Sequence, residues 1–205
     1  MSDASAHAAH AGEPGHAVHA VSEFEHAQSK LGMWLFLASE VMFFSGLIGA
    51  YIVLRMGGTK EVFDGSVLNW KLAAVNTVAL LASSLTMALA ISAIRRDDIH
   101  RAAINIFLTI SLGGVFLIIK AIEYSTKFLH HITPGTNVFY SCYFTMTGFH
   151  GIHVLAGLIV LGVLLVRILQ GRYSSKNYTV IENTGLYWHL VDVVWIFLFP
   201  ILYLL

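Results

Sequence analysis

Long runs of apolar residues dominate this chain, and short polar or charged stretches separate them. Five such runs are present, at residues of about 31–54, 72–94, 102–124, 138–166 and 185–204. About 20 helical residues cross the hydrocarbon core of a bilayer, and every run reaches that length. The regular apolar–polar alternation of membrane-spanning strands is absent from the sequence. The pattern therefore predicts an all-α fold, a polytopic membrane protein with a bundle of five transmembrane helices.

The residues before the first apolar run have a different composition. Residues 1–28 are rich in Ala and His and include His7, His10, His16, His19 and His26. A stretch with so few large apolar side chains predicts a disordered tail, although a His-rich tract is also a candidate metal binder. No basic start precedes an apolar core here, so a secretory signal peptide is not expected. The predicted organisation is thus a tail at 1–28 and a membrane domain at 29–205.

The composition agrees with a membrane protein and excludes several other classes. Hydrophobic residues make up 57% of the chain and charged residues 12%, whereas a soluble domain has about 25% charged residues. The formal net charge is zero, which argues against nucleic acid as a partner. With one cysteine, Cys142, the chain has neither an internal disulfide nor a multi-cysteine metal site.

The loops carry lysine and arginine unevenly, and this asymmetry predicts the orientation in the membrane. Seven basic residues lie on the side of the tail: Lys30, Arg95, Arg96, Arg101, Arg167, Arg172 and Lys176. Four lie on the opposite side: Arg55, Lys60, Lys71 and Lys127. The positive-inside rule then places the N-terminus in the cytoplasm. Five spans place the C-terminus outside.

Polar side chains within the first three spans are candidates for function or for helix contacts. Glu40 lies well inside the first span, where a carboxyl group must be neutral, paired or hydrated. Proton handling and a hydrogen bond to another helix both remain open for it. Glu123 follows Lys120 by three residues, which favours an ion pair on one helical face. Asn76 in the second span is a candidate for bridging helices by hydrogen bonds.

Two histidines three residues apart, His150 and His153, share one side of the fourth span. In the fifth span, His189 and Asp192 repeat that spacing, so Asp192 is a candidate to orient the imidazole or to balance its charge. The neighbouring Trp188 suits a membrane interface. Two histidines on one helix cannot sandwich a haem between them, although His189 could oppose one of the pair. The Glu-x-x-His motif of di-metal bundles is missing. Metal or haem binding, proton relay, and hydrogen bonding within the bundle or to a lipid head group remain open.

Four motifs occur in order on four different spans, and together they resemble a known family. They are Ser39–Phe44 (SEVMFF), Ala121–Tyr124 (AIEY), Gly148–Val154 (GFHGIHV) and Tyr187–Trp195 (YWHLVDVVW). This set closely resembles subunit III of the haem–copper oxidases, in particular of cytochrome c oxidase. The likeness covers residues from about 30 to the C-terminus. The chain lacks the first two of the family's seven spans, like the shorter bacterial members, which implies a multi-pass protein of the bacterial cell membrane.

The resemblance implies a non-catalytic subunit of a proton-pumping terminal oxidase, with no catalytic residue and no metal in this chain. Haem and copper are expected in partner subunits I and II, and subunit I is the expected main contact. Supporting proton uptake, binding phospholipid and protecting the active site are the implied roles. The residues that match the family's motif positions are Glu40, Glu123, His150, His153, His189 and Asp192. Without the first two family spans, a cleft that holds lipid must be open or lined partly by another subunit.

Two alternatives to a cytochrome c oxidase remain. Subunit III of a quinol oxidase is similar, and it shares a His-rich N-terminus. Glu40 in Ser-Glu-Val and Phe149 in Gly-Phe-His favour the cytochrome c branch. A stand-alone membrane haem protein or proton-transfer protein is the alternative outside the family.

Overall fold

The computed structural model describes the backbone of residues 14–58, 68–174 and 177–204, and the side chains from residue 28 onwards within those ranges. Five α-helices make up this part of the chain: α1 (Pro14–Gly57), α2 (Trp70–Arg95), α3 (Ile99–Leu129), α4 (Val138–Leu169) and α5 (Thr179–Tyr203). All five are long and apolar enough to cross a membrane. The described residues contain no strand beyond one isolated bridge between Ser174 and Asn177. The prediction of an all-α, five-span protein is confirmed.

Polar caps set where the helices begin. The side chains of Asn69, Asp98 and Asn137 accept hydrogen bonds from backbone N–H groups of the first turns of α2, α3 and α4. Such caps satisfy donors that have no partner inside the helix. Helices α2 and α3 therefore extend beyond the apolar runs that predicted them. α1 begins at Pro14 and overlaps the later half of the predicted tail. Residues 1–13 lie outside the described residues.

Helices α2 to α5 pack against one another in a closed group, in which α2 contacts α3 and α5, and α4 contacts α3 and α5. Two buried indole rings, Trp188 and Trp195, lie at its centre. Trp188 fits between Gly113 of α3 and Gly157 of α4, where added Cβ atoms would lie 2.8 Å and 2.9 Å from the ring. Glycine is required at both positions because a methyl group would overlap the indole. We call these four helices the core.

Helix α1 packs on one side of the core, where it contacts α4 and α5. Its membrane-spanning part leaves large apolar side chains exposed, among them Leu35 at 65%, Met42 at 74% and Val53 at 70%. We call the contact of α1 with α4 and α5 the seam. The bundle has two ends, which we name after residues: the Arg95 end, where α2 finishes, and the Lys127 end, where α3 finishes.

Candidate functional site: polar clusters inside the bundle

The seam contains an intramembrane acid–base pair. A carboxyl oxygen of Glu40 on α1 lies 2.8 Å from Nε2 of His153 on α4. Nδ1 of His153 lies 2.8 Å from the backbone carbonyl of Phe149. A carbonyl oxygen only accepts, so Nδ1 carries a proton and Nε2 faces the carboxyl group. The two side chains are 19% and 20% exposed, which leaves the pair partly accessible from outside this chain.

His150 has entirely different surroundings from His153, although the two are one helical turn apart. Its ring is fully buried, stacked at 5.1 Å on Trp195 and edge-on at 5.6 Å to Phe116. Neither ring nitrogen has a hydrogen-bond partner in the described part of the chain. The predicted common face is thus divided, because His150 points into the core while His153 points into the seam.

His189 takes its hydrogen bond from another helix rather than from Asp192. Its Nδ1 lies 2.6 Å from the hydroxyl of Ser84 on α2. Asp192 is only 3% exposed; the hydroxyl of Ser84 lies near its carboxyl group, but neither carboxyl oxygen has a hydrogen bond of normal geometry among the described residues. The amide of Asn76, also buried, has no partner there either. Buried polar groups of this kind are where ordered water is commonly found, because water supplies the missing hydrogen bonds.

A second cluster is buried inside the core at the Lys127 end. Lys120 donates to Glu123 at 2.9 Å, so the pair has the geometry that its spacing predicts. The hydroxyl groups of Tyr143 and Tyr203 each donate to Glu123, also at 2.9 Å. Lys127 lies 3.6 Å from the same carboxylate. These groups come from α3, α4 and α5, so the cluster joins three helices.

Both core tryptophans also use their indole N–H groups to join helices. Trp188 donates to Ser83 and Trp195 donates to Thr77, each at 3.0 Å. The predicted interfacial position of Trp188 differs from its place at the centre of the core. Its glycine neighbours on α3 and α4 account for this, because they leave room for an indole there.

At the Arg95 end, Glu182 of α5 pairs with Arg95 of α2 and with Lys30 of α1, the latter at 3.2 Å. Ser29 of α1 accepts a hydrogen bond from Asn183 of α5 at 3.1 Å. These contacts fasten α1 to the core at one end, whereas the Glu40–His153 pair fastens it within the membrane.

Sequence reasoning missed several members of these clusters. Lys127 follows Glu123 by four residues, a spacing that indicates a helical ion pair. This contact could therefore have been predicted from the sequence. No local sequence pattern marked the other members, which are Tyr143, Tyr203, Ser83 and Ser84. They reach their partners from other helices, and only the packing brings them together.

These features define a class of protein: a polytopic helical membrane protein whose buried polar groups link helices. Among the residues that the structure describes, no three His, Cys, Asp or Glu side chains are placed to hold a metal ion. His150, His153 and His189 contact three different sets of side chains.

The family follows from comparison with known proteins. The family model for cytochrome c oxidase subunit III matches residues 9–205. The chain belongs to that family.

Curated relatives carry the same description. Cytochrome c oxidase subunit 3 of Thermostichus vulcanus is 37% identical, covering 85% of this chain and 86% of its own length. The Corynebacterium diphtheriae protein of that name is also 37% identical, over 84% of this chain and 86% of its own length. The Xenopus laevis protein is 36% identical over 85% of this chain, but the match covers 68% of its own length.

Proposed function

We propose that this chain is the non-catalytic subunit III of a proton-pumping cytochrome c oxidase. Its family and the names of its relatives support membership of an oxidase complex. In this proposal electron transfer and oxygen reduction take place at haem and copper in subunits I and II. The chain itself carries no cofactor, and it packs on subunit I in a bacterial cell membrane with its N-terminus in the cytoplasm.

The Glu40–His153 pair is the observation that carries the proposed role. A carboxyl group and an imidazole 2.8 Å apart can exchange a proton between them. Both side chains are about one-fifth exposed, so a partner subunit or water can reach them from the seam. We assign the pair to the support of proton uptake by subunit I.

The Glu123 cluster supports stability rather than proton transfer. Its carboxylate accepts hydrogen bonds from one lysine and two tyrosines, and it is only 8% exposed. A group this fully bonded holds α3, α4 and α5 in one arrangement. Phospholipid at the open side of α1 is the third proposed role, because the exposed apolar surface there needs a cover in the membrane.

Purification of the respiratory complex under mild detergent tests the proposal. We expect this chain in the fraction that contains haem and copper and that oxidises reduced cytochrome c. Absence of the chain from every such fraction would refute the assignment. The isolated chain is expected to show no Soret band, and a stoichiometric band would favour the stand-alone haem protein instead.

A quinol oxidase is the second candidate, favoured by the histidines of the N-terminal segment. Glu40 within Ser-Glu-Val and Phe149 within Gly-Phe-His favour cytochrome c. Oxygen consumption by the purified complex with reduced cytochrome c or with a quinol as the electron donor distinguishes the two.

A further inference from the structure

Three charged side chains inside the core, taken by themselves, carry more positive than negative charge. Lys120, Glu123 and Lys127 of α3 are 7%, 8% and 6% exposed, respectively. Two ammonium groups and one carboxylate carry a net charge of one positive unit when all three are ionised. A buried charge without a partner is costly, so an anion is the natural complement of this cluster.

The excess charge is located at Lys127. Glu123 already accepts hydrogen bonds from Lys120, Tyr143 and Tyr203. Lys127 stands 3.6 Å from this carboxylate, which is longer than a hydrogen bond. Its Nζ lies 5.1 Å from the centre of the Tyr143 ring. An ammonium group has three N–H donors, and at most one of those of Lys127 is directed at Glu123, its ion-pair partner among the described residues.

A cavity of about 210 Å³ lies beside Lys127, between the end of α3 and the beginning of α2. Its polar lining includes Asn69, Thr126 and His130 beside the two charged side chains Glu123 and Lys127, and its apolar lining includes Leu72, Ile122 and Ile132. α2 begins at this cavity, so the partial positive charge of its N-terminus adds to that of Lys127. The cavity therefore combines an ammonium group that has unused N–H donors, the carboxylate beside it, a polar rim and an apolar wall.

We propose that this cavity binds a singly charged phosphate group, with Lys127 as its main ligand. Either a phospholipid phosphodiester or inorganic phosphate supplies this chemistry. One such charge neutralises the excess of the cluster, and its oxygens accept from the free N–H groups of Lys127. The site involves α2 and α3, whereas α1 contacts α4 and α5. It is therefore separate from the Glu40–His153 pair and from any cleft beside α1.

The first experiment measures phosphate-containing ligand in the intact complex by native mass spectrometry and phosphorus analysis. Lys127→Met is expected to lose one tightly bound equivalent, with affinity reduced about tenfold or more because a charge-assisted hydrogen bond is removed. Lys127→Arg is expected to keep it. The matched control is Lys71→Met, which removes an exposed lysine that lies over Trp70. Equal phosphate content in Lys127→Met and the unaltered complex would overturn the proposal.

The second experiment identifies the source of the phosphate group. The delipidated complex is heated with either inorganic phosphate or phosphatidylglycerol in detergent micelles. Stabilisation by phosphatidylglycerol alone, lost in Lys127→Met, identifies a lipid site. Equal stabilisation by inorganic phosphate identifies a site for the free anion. No stabilisation by either, or the same stabilisation in Lys127→Met, would contradict the proposal.

Thr126→Leu keeps the proposal testable if Lys127→Met does not assemble. Thr126 is exposed and lines the cavity, so a leucine fills the space while Lys127 stays in place. We expect this variant to assemble and to lose the bound phosphate group. Unchanged binding would overturn the proposal as well.

Discussion

The core and the seam use charged residues inside the membrane in opposite ways. In the core, Glu123 is only 8% exposed and its oxygens are bonded by groups from three helices. In the seam, Glu40 has His153 as its partner and is about one-fifth exposed. The two carboxyl groups therefore differ in hydrogen bonding and in accessibility, although they lie in neighbouring parts of one bundle. The fully hydrogen-bonded Glu123 stabilises the fold, and the more exposed Glu40 is available to exchange a proton.

Breaking the buried Glu123 cluster is expected to have the largest effect on stability. Glu123→Gln removes the negative charge between Lys120 and Lys127 and leaves two buried cations uncompensated. The free energy of unfolding should fall by about 3–5 kcal/mol, the usual cost of removing one partner from a buried pair. SDS titration of the purified subunit, followed by tryptophan fluorescence, measures the change.

A matched variant separates charge from packing in the same cluster. Changing all three residues, as Lys120→Met with Glu123→Leu and Lys127→Met, removes the charges together. This triple variant should recover part of the lost stability, since apolar replacement of buried ions is often neutral but Tyr143 and Tyr203 lose their acceptor. An unaltered unfolding curve for Glu123→Gln alone would show that the cluster is not structural.

Glycine substitutions compare packing in the two regions, with the next largest effect. A Cβ on Gly157 in the core would lie 2.9 Å from the Trp188 ring, whereas one on Gly49 in α1 meets nothing within 4 Å. Gly157→Ala should therefore cost about 1–3 kcal/mol through overpacking. Gly49→Ala should be neutral or stabilising by up to about 1 kcal/mol through helix propensity. Equal effects in thermal unfolding would mean that the core is not tightly packed around Trp188.

The two histidines of α4 should respond to the same substitution with opposite signs. His153→Phe removes the partner of Glu40 and should lower the free energy of unfolding by about 1 kcal/mol. His150→Phe keeps the ring contacts with Trp195 and removes two ring nitrogens that lack partners. It should leave stability unchanged or raise it by about 1 kcal/mol. A large loss in His150→Phe would indicate that ordered water bonds to its ring.

The smallest change in stability is expected for Glu40→Gln. The amide can still hydrogen-bond to His153, and the site is partly exposed, so the loss should stay within about 0.5 kcal/mol. This small loss distinguishes the seam from the core most clearly, because Glu123→Gln should be severely destabilising. Comparable losses for both variants, measured by SDS titration, would remove the distinction between seam and core.

The sequence was sufficient for the number and type of helices, because apolar length alone reports a membrane span. It also predicted the Lys120–Glu123 pair, whose members are neighbours on one helix. Contacts between different helices could not be predicted from the sequence. The pairing of Glu40 with His153, the hydrogen bond of His189 to Ser84 and the burial of Trp188 depend on how helices are rotated against each other. Periodicity places His150 and His153 on one side of α4, yet a rotation of about 60° between them separates core from seam.

The proposed proton role of Glu40 is tested most directly by the rate of proton uptake in the purified oxidase. Glu40→Gln removes the exchangeable carboxyl proton but keeps the shape and a hydrogen bond. We expect proton uptake in this variant to be slower than in the unaltered complex, with haem content and assembly unchanged. An uptake rate equal to that of the unaltered complex would contradict this expectation and leave Glu40 as a helix contact only.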